Sequence, residues 1–352
     1  MPDGTGPVTT VRVHYPSARC TNLGLRGAAG NLNWTTDAPT VHDESAKTYT
    51  YSTRAIAAGS AATEIKPLCD GTWAIGPNYS VATGDTVDIY PHFFTNAGRV
   101  EKKWPTFTST ALPSTRAVFV YLPPTYIEND TYVADVFYMH DAQNLFDPAT
   151  SYGGVEWGVD ETMNAGAAGG TIREVLIVGI ENTPDRIAEL TPTPGTLSGG
   201  KADQYLAMVV NEIKPMVDGA LRTNPSREHT GMMGSSLGGL ITIHAAVKNG
   251  ATFGIMGAMS PSSWWDNQEI VGEVNGGWTA AGAQKPLRLY LDNGQNGDSS
   301  ADTSQVVAAL RTKGYVDGAT LSYVTDPAGQ HNEASWARRL PASLTFLLGS
   351  GR

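Results

Sequence analysis

Two serines stand side by side in Gly234-Ser235-Ser236-Leu237-Gly238, inside the stretch HTGMMGSSLGGLITIHAAVKNG (229–250). Centred on Ser236, the five residues fit G-x-S-x-G, a pattern that makes physical sense only as a strand, a sharp turn and a helix. HTGMMG supplies the short strand and LGGLITIHAAVKNG an apolar helix ending at a glycine. The small residues at Gly234 and Gly238 let a strained turn pack closely, and the N–H of Leu237 is then placed to hold an oxyanion. Ser235 is expected to face away as a bystander.

A serine hydroxyl is a weak nucleophile that needs a base, and an imidazole base needs an acid to fix its tautomer. In the order nucleophile, acid, base, the base is His331 in TDPAGQHNEASW, between strand-like ATLSYV and helical EASWARRLPASLTFLL. His244 lies within the helix after the serine and is expected to pack there or face solvent. The acid comes from PLRLYLDNGQNGDSSADTS, a strand followed by a loop. A position past the strand end ranks Asp298 first, then Asp292, then Asp302; Asp292, where the strand stops, would instead brace the turn. This loop misses the EF-hand spacing, so no metal and no cofactor are expected. A second oxyanion donor should come from the end of VFYMHDAQNLFD, at the N–H of Ala142 or Gln143.

Alternating apolar runs such as AVFVYLPP, VADVFYMH and EVLIVGIEN with helical segments such as DQYLAMVVNEIKPMVDGAL argue a doubly wound, mostly parallel α/β domain. The first hundred residues read differently, as short period-two strands between turn residues, the signature of a β-sandwich. The polar stretch TFTSTALPST (106–115) places the boundary near Ser109, giving a sandwich over 1–108 and an α/β domain over 109–352. The Thr/Pro-rich LTPTPGTLSGGK is a loop long enough to overhang a site.

With 41% hydrophobic and 16% charged residues the chain is a folded one, and a net charge of −10 without any Lys/Arg cluster excludes a nucleic-acid surface. No apolar run is long enough to span a membrane. The start MPDGTGPVTT is polar and lacks a signal-peptide core, as a mature exported protein would. Cys20 and Cys69 are the sole cysteines, and the reading leans to a disulfide stapling the first domain, hence a secreted or periplasmic location.

Taken in order, YMHDAQNLFDPATSYGGVEWGVDETM, VGIENTPDRIAELTPTP, MMGSSLGGL, MSPSSWW and GQHNEASW resemble the putative-esterase (esterase D-like) family of α/β-hydrolases. That family includes feruloyl esterases, enterochelin and other siderophore esterases, and mycolyltransferases. The resemblance spans about the last two-thirds of the chain and implies an α/β-hydrolase fold and a carboxylic-ester hydrolase, with Ser236 as nucleophile and His331 as base. The acid region departs from the family by reading GQNGD, leaving Asp298 and Asp292 both open. The N-terminal region is similar to starch-binding-type or immunoglobulin-like sandwiches fused to some such esterases. Trp34, Trp73 and Trp104 would then form a sugar-stacking platform for polysaccharide, the alternative being sandwich core or interdomain packing. Enterochelin-type esterases carry a sandwich that shapes the active site, so this one is also a candidate to lean over the cleft.

SPSSWW follows the strand FGIMGAM, so Trp264 and Trp265 should emerge at the nucleophile's edge and, with Trp157, line an acyl pocket suited to aromatic or bulky esters. Packing under the following helix is the alternative. The expected activity is ester hydrolysis through an acyl-enzyme. The competing readings are an acyltransferase using the same triad and a non-catalytic glycan-binding protein on a hydrolase scaffold.

Overall fold

The protein is described by a computed structural model covering residues 6–28, 30–56 and 61–349. The first five residues of the polar start lie outside the described residues. Runs such as Val175–Ile180 and Ile255–Met259 are buried at every position, as the continuous apolar sequence requires of strands covered on both faces. They belong to an eight-stranded sheet. Its spatial order is Leu321–Gln330, Arg288–Asn296, Ile255–Met259, Thr230–Ser235, Asp135–His140, Val175–Ile180, Thr115–Leu122 and Arg99–Thr108. The first six are mutually parallel; the last two add on antiparallel.

Helices cover both faces. Val159–Gly169 and Glu333–Leu348 pack together on one, in a core that includes Trp157, Met163, Trp336 and Leu340. Leu237–Lys248, Trp265–Gly276 and Ser300–Thr312 contribute to the core of the other. The result is the expected α/β-hydrolase layering of helix, sheet and helix.

Ahead of it lie two small sheets that share one core. One runs Val41–Asp43, Thr48–Thr53, Thr9–His14, Thr86–Ile89; the other joins Leu23–Gly27, Thr63–Cys69, Thr72–Trp73 and Tyr79–Val81. Val11, Val13, Leu25, Ile65 and Tyr15 fill the space between them, and a Cys20–Cys69 disulfide closes one end.

The expected boundary near Ser109 needs correction. Strand Arg99–Thr108 pairs with Thr115–Leu122, Thr108 opposite Thr115 and Arg99 opposite Leu122, so it is the edge of the large sheet. Its alternating RVEKKWPTFT reads like a sandwich strand because an antiparallel edge strand also exposes one face. Trp104 therefore leaves the proposed sugar platform: it sits opposite Val118 and packs on the large core.

The sandwich is pinned through helix Pro124–Glu128. The buried Glu128 carboxylate accepts from the N–H groups of Phe93 (2.6 Å), Phe94 (2.8 Å) and Thr95 (2.8 Å) and from the Tyr15 hydroxyl (2.9 Å). Asn129 Nδ2 donates to the carbonyls of His14 and Pro91. All of these lie just past the C-terminal end of strand Thr115–Leu122. That strand runs against the parallel ones, so its end lies where they begin. The sandwich thus docks at the N-terminal ends of the parallel strands and does not lean over their C-terminal ends.

Burial alone would raise the Glu128 carboxyl, but the backbone donors of Phe93 and Phe94 outweigh it and hold the group below its ordinary value. Its contribution is therefore present above the unfolded carboxylate pKa and lost as pH falls through the folded one. Glu128→Ala should strand several buried donors and cost about 3 kcal/mol. Urea unfolding at neutral pH checks this, and a shift indistinguishable from zero would remove Glu128 as the clamp.

Candidate active site

Strand Thr230–Ser235 passes into helix Leu237–Lys248 through Ser236 at φ 57° and ψ −122°, a backbone state that side chains rarely adopt. Close packing makes the turn possible. A Cβ on Gly234 would stand 2.8 Å from both the Gly238 carbonyl carbon and His140 Cδ2. The turn is held by Ser236 N–H to the Met259 carbonyl (3.0 Å) and Ser262 N–H to the Ser236 carbonyl (2.9 Å). Ser262 Oγ lies 3.3 Å from Ser236 Oγ.

His331 follows strand Leu321–Gln330 and precedes helix Glu333–Leu348. Its Nε2 lies 2.8 Å from Ser236 Oγ and its Nδ1 2.5 Å from Asp298 Oδ1. Ser235 is buried and borders the same cavity, contrary to the expectation that it faces away, yet the imidazole bond goes to Ser236. Trp336 meets the imidazole edge-on at 5.1 Å and limits its rotation. His244 is tied elsewhere, between Glu273 and Asp203 at 2.7 and 2.9 Å.

Asp298 and Asp292 have separate jobs. Besides His331, Asp298 accepts from the Ser260 hydroxyl (2.6 Å) and the Gly294 N–H (2.5 Å). Burial works against its charge, but the bonds from His331 and Ser260 prevail and keep the carboxyl below its ordinary range. Asp292 is fully buried and takes a forked pair from Arg339 at 2.9 and 3.1 Å, plus the Tyr290 hydroxyl and the Ser260 N–H. Ser260 Oγ in turn accepts from Arg339 Nη2 (2.7 Å) and Trp336 Nε1 (2.9 Å) while donating to Asp298. Asp302 lies in the first turn of helix Ser300–Thr312, bonded by Gln268.

Leu237 and Ala142 each occupy a first helical position, where a backbone N–H has no carbonyl within its own helix. Ala142–Asn144 begins directly after Asp141, which adopts φ 60° and ψ 50°. Asp141 is held there by Arg186, at 2.7 and 2.8 Å, and by Asn182 Nδ2 at 2.5 Å. His140, beneath the serine turn, bonds Tyr205 (2.9 Å), and burial pushes its imidazole down to about 4. It is therefore a neutral packing residue at neutral pH.

Ser236 and His331 open into a cavity of about 440 Å³ bordered also by Gln143, Asn182, Arg186 and Glu333. Burial and then the charge of Asp141 raise the Glu333 carboxyl above its ordinary value. The three expected pocket tryptophans are elsewhere. Trp265 is buried and donates to the Thr193 carbonyl (3.1 Å), so the Thr/Pro-rich loop covers this ring and not the nucleophile. Trp264 is half exposed beside it, 5.9 Å away. Trp157 is buried against Trp336 at 5.9 Å. Among the described residues the cavity's aromatic lining is Tyr152 and Trp336.

Sequence reasoning missed Arg339, Ser260, Arg186 and Tyr152. Trp336 and Arg339 stand at i and i+3, one face of a helix, which was a readable signal. Nothing in the local pattern pointed to Arg186 as the partner of Asp141.

The sequence matches the model of the family described as Putative esterase over residues 109–347. The uncharacterized protein YbbA of Bacillus subtilis is 24% identical over 255 residues, 67% of this chain and 94% of that protein. The feruloyl esterase module of Clostridium thermocellum, solved with sinapinate, shares the fold with a TM-score of 0.54 at 17% identity, over 73% of this chain and 90% of that one. The enterobactin esterase FES from Shigella flexneri matches over 96% of this chain and 92% of its own, with a TM-score of 0.55 at 14% identity. With its matched region holding the whole serine, histidine and aspartate cluster, the chain belongs to the Putative esterase family.

Proposed function

We propose that the protein hydrolyses carboxylic esters through an acyl-enzyme on Ser236. The observation that carries this is the unbroken chain Ser236 Oγ–His331 Nε2 (2.8 Å) and His331 Nδ1–Asp298 (2.5 Å). His331 takes the serine proton as Oγ attacks the carbonyl carbon, and Asp298 holds the imidazolium that forms. The N–H groups of Leu237 and of Ala142 or Gln143 receive the oxyanion. His331 then protonates the leaving alcohol, and water activated by the same imidazole releases the acid.

Charge in the cavity favours neutral esters over polyanions. Its guanidinium, Arg186, is already spent on Asp141, and Glu333 adds a further carboxyl. A triply anionic iron–siderophore complex would meet little positive charge there. Planar aromatic acyl esters, of the class seen as sinapinate in the Clostridium thermocellum module, are the preferred substrates in this reading.

On the sandwich, Trp34 and Trp73 lie 6.0 Å apart, each partly exposed, with Glu64, Lys66 and Asn78 around them. Flat apolar rings flanked by hydrogen-bonding groups support a glycan contact for the polymer that carries the ester. The disulfide supports a secreted or periplasmic location.

Ser236→Ala should lower kcat on methyl ferulate and p-nitrophenyl butyrate by several orders of magnitude with unchanged folding. Ser235→Ala should stay within a few-fold; an equal loss there would overturn the choice of nucleophile. If product analysis with an added alcohol returns mainly the exchanged ester, the enzyme is an acyltransferase.

Asp298→Asn should cost about ten-thousandfold in kcat, because it leaves the imidazole in the wrong tautomer. Asp292→Asn should act chiefly on stability, by about 3 kcal/mol, since it leaves the buried Arg339 without its counter-charge and one arm of the fork without an acceptor. Paired rate and unfolding measurements separate the two; the reverse pattern would make Asp292 the triad acid.

An imidazole acts as general base only in its neutral form, so the rate should fall on the acid side. Asp298 adds no second limb near neutrality, because its carboxyl is held below the ordinary range. A kcat/KM profile on a chemistry-limited ester tests this, and an acid side without a fall would remove His331 as base.

A further inference from the structure

Tyr152 is 78% exposed, the highest value among the large apolar and aromatic side chains of the described residues, and it borders the cavity of Ser236 and His331. An aromatic ring left in water forgoes the burial that normally places it inside. Its backbone is not loose. Tyr152 N–H donates to Asn144 Oδ1 (2.9 Å), and the neighbouring hydroxyls of Thr150 and Ser151 donate to the Gln143 carbonyl at 2.7 and 3.2 Å. Gln143 belongs to the segment that supplies the second oxyanion donor, so the ring is registered to the reacting centre through one short run of chain.

Beyond Tyr152 the chain closes a short turn, Gly154 N–H on the Ser151 carbonyl at 3.1 Å, with no side chain of its own to pack. Gly153 and Gly154 both have positive φ, 67° and 71°, and a Cβ on either would meet open space. The side chain is thus presented from an anchored base into an unfilled region. Across the cavity Trp336 is almost wholly buried behind His331. With Trp157 and Trp265 buried and Trp264 off the cavity wall, a planar substrate group has one exposed ring among the described residues to rest on.

We propose that Tyr152 is the specificity-determining residue for aromatic acyl groups, stacking on the substrate's ring while Ser236 attacks its carbonyl. This rests on the ester-hydrolase reading above. The contribution is one of ring on ring, so phenylalanine should serve nearly as well as tyrosine. Because the contact lies away from the reacting atoms and is equal in ground and transition states, its loss raises KM and leaves kcat almost unchanged.

The test compares wild type, Tyr152→Ala, Tyr152→Phe and Ser236→Ala on methyl ferulate and methyl butyrate, followed by pH-stat. The esters share a leaving group and differ in the acyl ring. Tyr152→Ala should raise KM for methyl ferulate roughly five- to tenfold and leave methyl butyrate within twofold, with Tyr152→Phe close to wild type on both. Equal losses on both esters would make Tyr152 a loop support, and no change on ferulate would remove it from recognition; either result overturns the inference. Ser236-dependent turnover of methyl butyrate alone, with ferulate untouched by wild type, also overturns it while sparing the esterase. Inactivity of wild type on both would overturn the esterase reading and this inference with it.

Discussion

One buried guanidinium organises the site. Arg339, on helix Glu333–Leu348, forks onto Asp292 through Nε and Nη2, and Nη2 also donates to Ser260, the residue whose hydroxyl bonds Asp298. Three segments distant in sequence meet there: the middle of strand Arg288–Asn296, the loop after Ile255–Met259 and the C-terminal helix. Burying ions is costly, and removing one partner of such a pair costs about 3–5 kcal/mol. The arrangement is therefore stable only when all its members are in place, which fixes the position of Asp298 before any substrate arrives. Arg339 Nη2 also lies 3.9 Å from Asp298 Oδ2, so its field favours the charged form of the acid that must orient His331.

The serine turn obeys a different economy. A non-glycine residue at φ 57° is strained by about 1–3 kcal/mol. Opposing that strain, the amide of Ser236 bonds Met259, and its carbonyl accepts from both Ser262 and Leu240. Both backbone groups of Ser236 are thus satisfied, and its Oγ meets His331 Nε2. The glycines of G-x-S-x-G allow the approach; the neighbouring strand and the Ser260–Ser262 loop hold it. The motif alone specifies the first half of this arrangement, and the second half comes from residues some 25 positions later.

That division explains what could be read from sequence. The turn, the base and the identity of the fold were legible because each depends on local order: a strand, a small-residue turn, a helix, and a histidine between the last strand and last helix. Choosing between Asp298 and Asp292 needed the true length of strand Arg288–Asn296 and the partner of Asp292, Arg339, which arrives from elsewhere. The ranking of Asp298 first agrees with the geometry; Asp292, expected where the strand stops, lies instead in mid-strand opposite Val324 and holds the Ser260 N–H. The tryptophans misled for a related reason. Adjacent residues at the start of Trp265–Gly276 cannot point the same way, and the glycine-rich loop at Gly195 and Gly199 presses on Trp265, sealing it from the cleft. The domain boundary slipped because an antiparallel edge strand and a sandwich strand share the same alternation.

Sheet direction also decides what the sandwich can do for catalysis. Its anchors, Glu128 and Asn129, sit where the parallel strands begin, whereas Ser236, Asp298 and His331 sit where those strands end. Strands of about six residues separate the two levels by roughly 20 Å. Among the described residues none of the sandwich borders the Ser236 cavity, so in the proposed reading substrate choice falls to the loops of the α/β unit itself. A polymer gripped at Trp34 and Trp73 would be held near the enzyme and not fed directly to Ser236. In that arrangement the front domain raises the local concentration of ester groups, and the cleft still selects among them by its own aromatic and charged lining.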